Sequence, residues 1–146
     1  VIPSPGTEWA SQADLRAVTI RQPWASAIFN PSGPRRKDVE NRSWAIGPMG
    51  RLFIHAALKI DWTAGDLAWP VDATEEELPL GKIIGYVRIT GCTQNAWSRW
   101  AVPGQYHWLL GGPVLLKQPV PARGSLGIWR LSPEQAGEVA KQLAAP

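Results

Sequence analysis

Lys37, Glu40, Arg42 and Trp44 lie within one short run, Lys37-Asp38-Val39-Glu40-Asn41-Arg42-Ser43-Trp44. Glu40, Arg42 and Trp44 stand two residues apart, so on a strand they share one face. Lys37 would stand where that strand begins. A carboxylate, a guanidinium, an indole and an ammonium together make a small polar site with an aromatic wall. Such a site suits a planar, hydrogen-bonding ligand such as a nucleobase. Arg35 and Arg36 just upstream would add positive charge for phosphates. The same pattern also suits a surface ion pair beside a core tryptophan, which is worth little if exposed. A partly buried pair needs further hydrogen bonds, and a ligand could supply them.

Other residues carry comparable chemistry. Gln22 falls where a strand, Ala17–Gln22, hands over to a short helix opened by Pro23 and carrying Trp24. Helix N-termini attract anions, while a capping glutamine beside a core tryptophan is the plainer alternative. His55 ends a strand on the face of Phe53 and could be a base, a stacking ring or a hydrogen-bonded core residue. Trp97 and Trp100 flank Arg99 in a loop. Aromatic and basic residues interleaved in this way suit base stacking and phosphate contact, and loop tryptophans can equally plug the end of a barrel. Tyr106 and Trp108 alternate with His107 and read as core. Ser11 and Asp14 form no triad with either histidine, and no Walker loop, dinucleotide fingerprint or HExxH motif is present.

The elements that must position these residues are short. The second strand is expected over about 38–45. A Gly47-Pro48-Met49-Gly50 turn leads to a third strand, 51–56, which suggests a hairpin. Asp61 can cap a helix through Trp69, and Thr74 with Glu77 makes a capping box over a brief turn. Residues 81–92 are rich in β-formers. Strands are expected at 106–110, 114–120 and 126–131, with Gly-Gly-Pro turning the chain between the first two. Ser132-Pro133-Glu134-Gln135 opens a terminal helix. Six or seven strands, few helices and no βαβ rhythm predict an α+β, mainly β fold. The expected architecture is a small barrel or strongly curved sheet with peripheral short helices. The expected organisation is a tail over 1–16, a domain over 17–131 and a C-terminal helix over 132–146 packed on it.

Composition narrows the class. The 146 residues suffice for one domain with a real core, and 45% apolar against 18% charged fits a globular chain. Nine tryptophans exceed what a fold can expose, so most must be core and a few remain for a surface. Residues 61–77 hold six carboxylates and no Lys or Arg. That segment sums to −6, so the remainder carries +9 within a net charge of +3. A basic body with an acidic segment suits an anionic partner such as nucleic acid, while a solvated acidic loop accounts for the segment equally well. The single cysteine, Cys92, permits no internal disulfide, and with two histidines it makes no zinc set. No cofactor or metal is expected. There is no long apolar run and no leader pattern, so neither a membrane partner nor a signal peptide is expected, and a cytoplasmic location follows by default.

Three ordered motifs carry a family resemblance. They are Ile20-Arg21-Gln22-Pro23-Trp24-Ala25, the Lys37–Trp44 run, and Gly50-Arg51-Leu52-Phe53-Ile54-His55-Ala56. With Tyr106-His107-Trp108 and Pro121–Trp129 they strongly resemble the ASCH domain family over about residues 17–131. The resemblance implies a fold similar to PUA domains, a small β-barrel with helices at its edge and a cleft across one side. It implies nucleic-acid handling, mainly of RNA, with DNA binding also proposed for some members. Barrels of the wider superfamily read modified bases in aromatic cages. The family's K-x-x-E-x-R pattern lines the cleft, which carries over to Lys37, Glu40 and Arg42.

Some small bacterial members are amidohydrolases of acetylated cytidine, and a ribonuclease activity has been proposed for others. In the amidohydrolases a threonine nucleophile follows the lysine by three residues. Here Glu40 stands in that place, so the lysine carries over and the nucleophile does not. The expectation is a nucleic-acid-binding module, monomeric or weakly dimeric, for RNA or single-stranded or modified nucleic acid. Its expected binding residues are Arg21, Gln22, Trp24, Arg35, Arg36, Lys37, Glu40, Arg42, Trp44, Arg51 and His55. The alternative is a metal-independent nucleoside amidohydrolase or ribonuclease with Lys37 and Glu40 as acid/base groups.

Overall fold

The computed structural model describes residues 15–63 and 69–144. Its centre is one six-stranded mixed sheet: β1 Arg16–Gln22, β2 Val39–Arg42, β3 Met49–Ile60, β4 Lys82–Thr93, β5 Tyr106–Pro121 and β6 Ile128–Arg130. Among the described residues two α-helices accompany it, α1 over Trp24–Ala27 and α2 over Pro133–Ala144. The spatial order is β2-β5-β4-β3-β1-β6, and no ladder joins β2 to β6. The expected small α+β architecture is therefore present, with the sheet left open along one side. The expected tail over 1–16 lies almost wholly outside the described residues, as does much of the helix expected after Asp61.

Both sheet faces are covered, and alternation assigns each residue to its side. Val18, Ile20, Leu52, Ile54, Val87, Ile89 and Trp108 pack into one cluster with Ala25 and Ile28 of the α1 segment. Ala17, Phe53, Ile83, Leu116 and Val120 pack into the other, with Val139 and Ala140 of α2. For this reason β3 is buried at five successive positions, Leu52–Ala56, rather than at every second one. The Ser132 hydroxyl accepts from the Gln135 amide at 3.1 Å and the Gln135 side chain accepts from the Ser132 amide at 2.9 Å. That reciprocal cap starts α2. Gly85 is forced by crowding, since a Cβ there would meet the Phe29 ring at 2.6 Å and the Val114 carbonyl closer still.

Strand pairing differs from the sequence expectation in two places. The second and third strands do not form a hairpin: β2 pairs with β5, Glu40 opposite Trp108, while β3 lies between β4 and parallel β1. The Trp108 indole explains the early end of β2. Its side chain is fully buried, and its N–H finds the Trp44 carbonyl at 3.0 Å, which draws the chain off the ladder after Arg42. The Gly-Gly-Pro stretch is also no turn. β5 runs through it, and the ladder absorbs an extra residue there, with Arg88 opposite Gly111 but Tyr86 opposite Val114. Gly112 takes φ +55 in this bulge. Among the described residues, no helix is long and apolar enough to cross a membrane.

Candidate functional site

The cleft lies at the open seam of the sheet. β6 covers β1 only from Arg16 to Val18, so among the described residues no strand pairs with Thr19–Arg21 on that side. β2 faces this gap, and Arg42 crosses it, donating from Nη2 to the Thr19 carbonyl at 3.1 Å. A cavity of about 870 Å³ opens here. Thr19, Ile20 and Arg21 of β1 form one side and Glu40, Asn41 and Arg42 of β2 the other. Trp24, Trp69 and Trp100 supply apolar walls, and Arg35 and Arg99 add charge.

Lys37, Glu40 and Arg42 form one ionic network. Lys37 is 6% exposed; its backbone N–H donates to the Ala27 carbonyl at 2.9 Å, which ties the loop after α1 into place. Its ammonium donates to the Val39 carbonyl at 2.6 Å and to Glu40 Oε1 at 2.7 Å. Arg42 Nε donates to Glu40 Oε2 at 2.8 Å, and the guanidinium lies 5.7 Å from the Trp108 ring centre. Burial by itself would raise the Glu40 carboxyl. The charges of Lys37 and Arg42, and their hydrogen bonds, outweigh it and hold the carboxyl below its ordinary range. Glu40 is thus a carboxylate with both oxygens engaged, and the network carries a net positive charge toward the cleft.

The walls are held as firmly. The Trp24 indole donates to Asp61 Oδ2 at 3.0 Å, while the Asp61 amide donates to the Gln22 carbonyl at 2.6 Å. The Thr63 hydroxyl and then the Trp24 indole hold the Asp61 carboxyl low, with Arg21 contributing. Trp100 meets Trp24 edge to face at 6.2 Å and donates its N–H to the Pro34 carbonyl at 3.1 Å. Asn41 fixes the loop that carries Trp100. Its Nδ2 donates to the Trp100 carbonyl at 2.9 Å and its Oδ1 accepts from the Val102 amide at 2.8 Å. The Arg99 guanidinium stands 5.5 Å over the Trp100 ring. Five cations line the cavity, Arg21, Arg35, Lys37, Arg42 and Arg99, against the carboxylates of Glu40 and Asp61. Arg35 also pairs with exposed Asp72 at 3.1 Å, an ion pair of small worth in water.

Of the residues singled out in the sequence, Arg21, Trp24, Arg35, Lys37, Glu40 and Arg42 come together around this cavity. The others do not line it. Gln22 is fully buried, with its amide hydrogens on the Ser26 hydroxyl at 2.7 Å and the Pro79 carbonyl at 3.1 Å. Its oxygen accepts from the Ser26 amide at 2.9 Å, so it braces the single turn of α1 and offers no donor to a ligand. Arg36 turns back to the Asn30 carbonyl at 2.8 Å. Trp44 packs edge to face on Trp108 at 4.7 Å. Arg51 lies 5.6 Å from the Tyr86 ring, on the sheet face opposite Leu52.

His55 is buried behind β1. Its Nε2 donates to the Ala122 carbonyl at 2.7 Å, which leaves Nδ1 to accept from the Thr19 hydroxyl at 3.1 Å. Burial lowers its pKa, and the Ala122 bond offsets this only in part. Asn41, Asp61 and Trp69 were not anticipated as lining residues. Asn41 sits inside the motif run, one position from each of its charged neighbours. Asp61 and Trp69 carry no local signal, because they reach the cleft only through the crossing of distant segments. Among the described residues, no group of three His, Cys, Asp or Glu comes together to hold a metal ion.

Known structures share this architecture. The ASCH protein of Zymomonas mobilis superposes with a TM-score of 0.55 at 16% identity, over 89% of this chain and 96% of that one. Two point mutants of the same protein superpose at 0.54, also at 16% identity, over 88% of this chain and 96–97% of theirs. At that identity the likeness speaks for the fold. None of the curated proteins matches the chain. The sequence itself matches the ASCH domain over residues 18–137, so the chain belongs to the ASCH domain family.

Proposed function

We propose that the protein binds nucleic acid, taking one nucleotide of an RNA or other single strand into the seam cleft. ASCH domains are PUA-like and are associated with RNA binding, which is the coarse frame for this reading. The observation that carries it is the charge arrangement. Five cationic side chains and three indoles line about 870 Å³, while Glu40 is neutralised by its two neighbours. That surface favours an anion with a flat apolar part, the description of a nucleotide. Trp24 or Trp100 stacks the base. Arg21, Arg35 and Arg99 contact phosphates. Lys37 and Arg42 set the orientation of Glu40 and supply the positive field.

The hydrolytic alternative draws less support. A general base works best with a pKa near the operating pH, and Lys37 and Arg42 hold the Glu40 carboxyl below its ordinary range, which makes it a weak base. The test is anisotropy with fluorescein-labelled nine-nucleotide U-rich RNA and its DNA counterpart across a salt series. Binding weakens as salt rises, and Arg35→Ala with Arg99→Ala lowers the log–log slope by about 1.4, two single-strand phosphate contacts at about 0.7 each. Absence of binding to either oligomer at low salt ends this reading.

A further inference from the structure

The cleft accounts for Trp24, Trp69 and Trp100, but not for Trp97. That side chain is 105% exposed, with its whole indole in water. A fully exposed tryptophan is ordinarily found on a chain end or a loose loop, and this one is on neither. The residue before it is pinned by the Ala96 amide, which donates to His107 Nδ1 at 3.0 Å. The His107 ring is fixed in turn by Nε2 donating to the Val102 carbonyl at 2.7 Å, and His107 is buried. The residue after it is pinned by the Ser98 hydroxyl, which donates to Asp38 Oδ1 at 2.5 Å and accepts from the Trp100 amide at 3.1 Å. The fold therefore holds a large apolar ring out in water on a fixed backbone. Nothing in its own packing repays that exposure.

Its neighbours say what the ring can meet. Two residues on, a chain length of about 7 Å at most, Arg99 lines the cleft with its guanidinium over Trp100. A cation for a phosphate and a second flat ring thus adjoin the first. A strand held in the cleft by one nucleotide and passing Arg99 would bring its next base within reach of the open face of Trp97. Base–aromatic stacking is tolerant of sequence, and a backbone already held in place loses little freedom on binding.

We infer that Trp97 is a second, external base-stacking subsite, so that the natural ligand is a single-stranded oligonucleotide of at least two residues rather than a free nucleoside or nucleotide. This rests on the cleft reading above and extends it.

The experiment compares wild type with Trp97→Ala, Trp97→Leu and Trp97→Phe, using the labelled nine-nucleotide U-rich RNA and, separately, uridine 5′-monophosphate by calorimetry. The expected result is a loss of about 5- to 150-fold in oligonucleotide affinity for Trp97→Ala. Trp97→Leu shows a similar loss and Trp97→Phe keeps most of the affinity, while the monophosphate affinities of all four proteins agree within about twofold. Exposure of the ring means these variants keep the wild-type melting temperature, which circular dichroism checks. Equal oligonucleotide binding by Trp97→Ala and wild type overturns the inference. So does full retention by Trp97→Leu, which would mark the ring as a general apolar contact. If Arg42→Ala loses the oligonucleotide while Trp97→Ala does not, the cleft reading stands and this one alone falls. If wild type binds no oligonucleotide, both fall.

Discussion

Arg42 donates to the Thr19 carbonyl at 3.1 Å while its Nε holds Glu40 at 2.8 Å. One side chain thereby closes the gap between β2 and the bare end of β1, where a strand ladder would otherwise run. It also orients the carboxylate that neutralises Lys37. The cleft and the closure of the sheet are the same feature: where backbone hydrogen bonds stop, an ionic side-chain network takes over, and it leaves room beside it for a ligand.

That network makes Glu40 a source of stability with a defined pH dependence. Its carboxyl is held below the ordinary range in the folded protein. Above about pH 4.5 the unfolded carboxyl is also ionised, so the stabilisation is fully present there. It is lost as pH falls below that and through the lower folded value. Urea midpoints measured from pH 7 down to pH 3 should fall across this window. Glu40→Ala should be less stable at neutral pH by about 3–5 kcal/mol, because it leaves the buried Lys37 ammonium without its anion, and it should lose this part of the pH dependence.

Asn41 positions the cleft wall through two backbone bonds, to the Trp100 carbonyl and from the Val102 amide. Asn41→Ala should cost about 1–3 kcal/mol and speed hydrogen exchange at the Val102 amide. Oligonucleotide affinity should fall because Trp100 loses its fixed place. Asn41→Ala with unchanged Val102 exchange would contradict this role.

His55 should impose a second pH dependence. Its folded pKa is lowered by burial, so its contribution is fully present above about pH 6.5. The contribution is lost as pH falls through the folded value, when Nδ1 takes a proton and can no longer accept from the Thr19 hydroxyl. His55→Phe should flatten the stability curve between pH 7 and pH 5 in thermal melts. Gly124→Ala tests the same packing from the other side, since its Cβ would meet Thr19 Oγ1 at 2.7 Å and His55 Cε1 at 2.9 Å. A loss of about 1–3 kcal/mol is expected there.

Hydrolysis is tested directly with acetylated cytidine. No acetate release is expected from the wild-type protein, as its two cationic neighbours make Glu40 a weak base and no hydroxyl stands at its position. Turnover that disappears in Lys37→Ala, followed by chromatography of the free nucleoside, would reverse that conclusion.

The sequence by itself determined a good deal. The alternation of Val18 and Ile20 with Ala17, the capping box at Ser132, the β-rich run after Gly81 and the spacing of Lys37, Glu40 and Arg42 are all local patterns. Local patterns survive folding because propensity, capping and face assignment depend on near neighbours. The same run carried the family signature that matches over residues 18–137.

Tertiary structure decided the partners. A hairpin between the second and third strands looked natural from their spacing, yet Trp108 claimed β2 by burying its indole beneath Glu40 and bonding the Trp44 carbonyl. Gln22 read as a ligand contact, and Pro79, 57 residues away, took one of its amide hydrogens instead. Trp97 and Trp100 read alike as loop tryptophans, three residues apart. Asn41 and Pro34 drew Trp100 into the cleft, while His107 and Asp38 fixed the backbone so that Trp97 faces water. Side chains of one type separated into wall and exposed platform because their hydrogen-bonding partners lie far along the chain, where sequence spacing carries no information about contact.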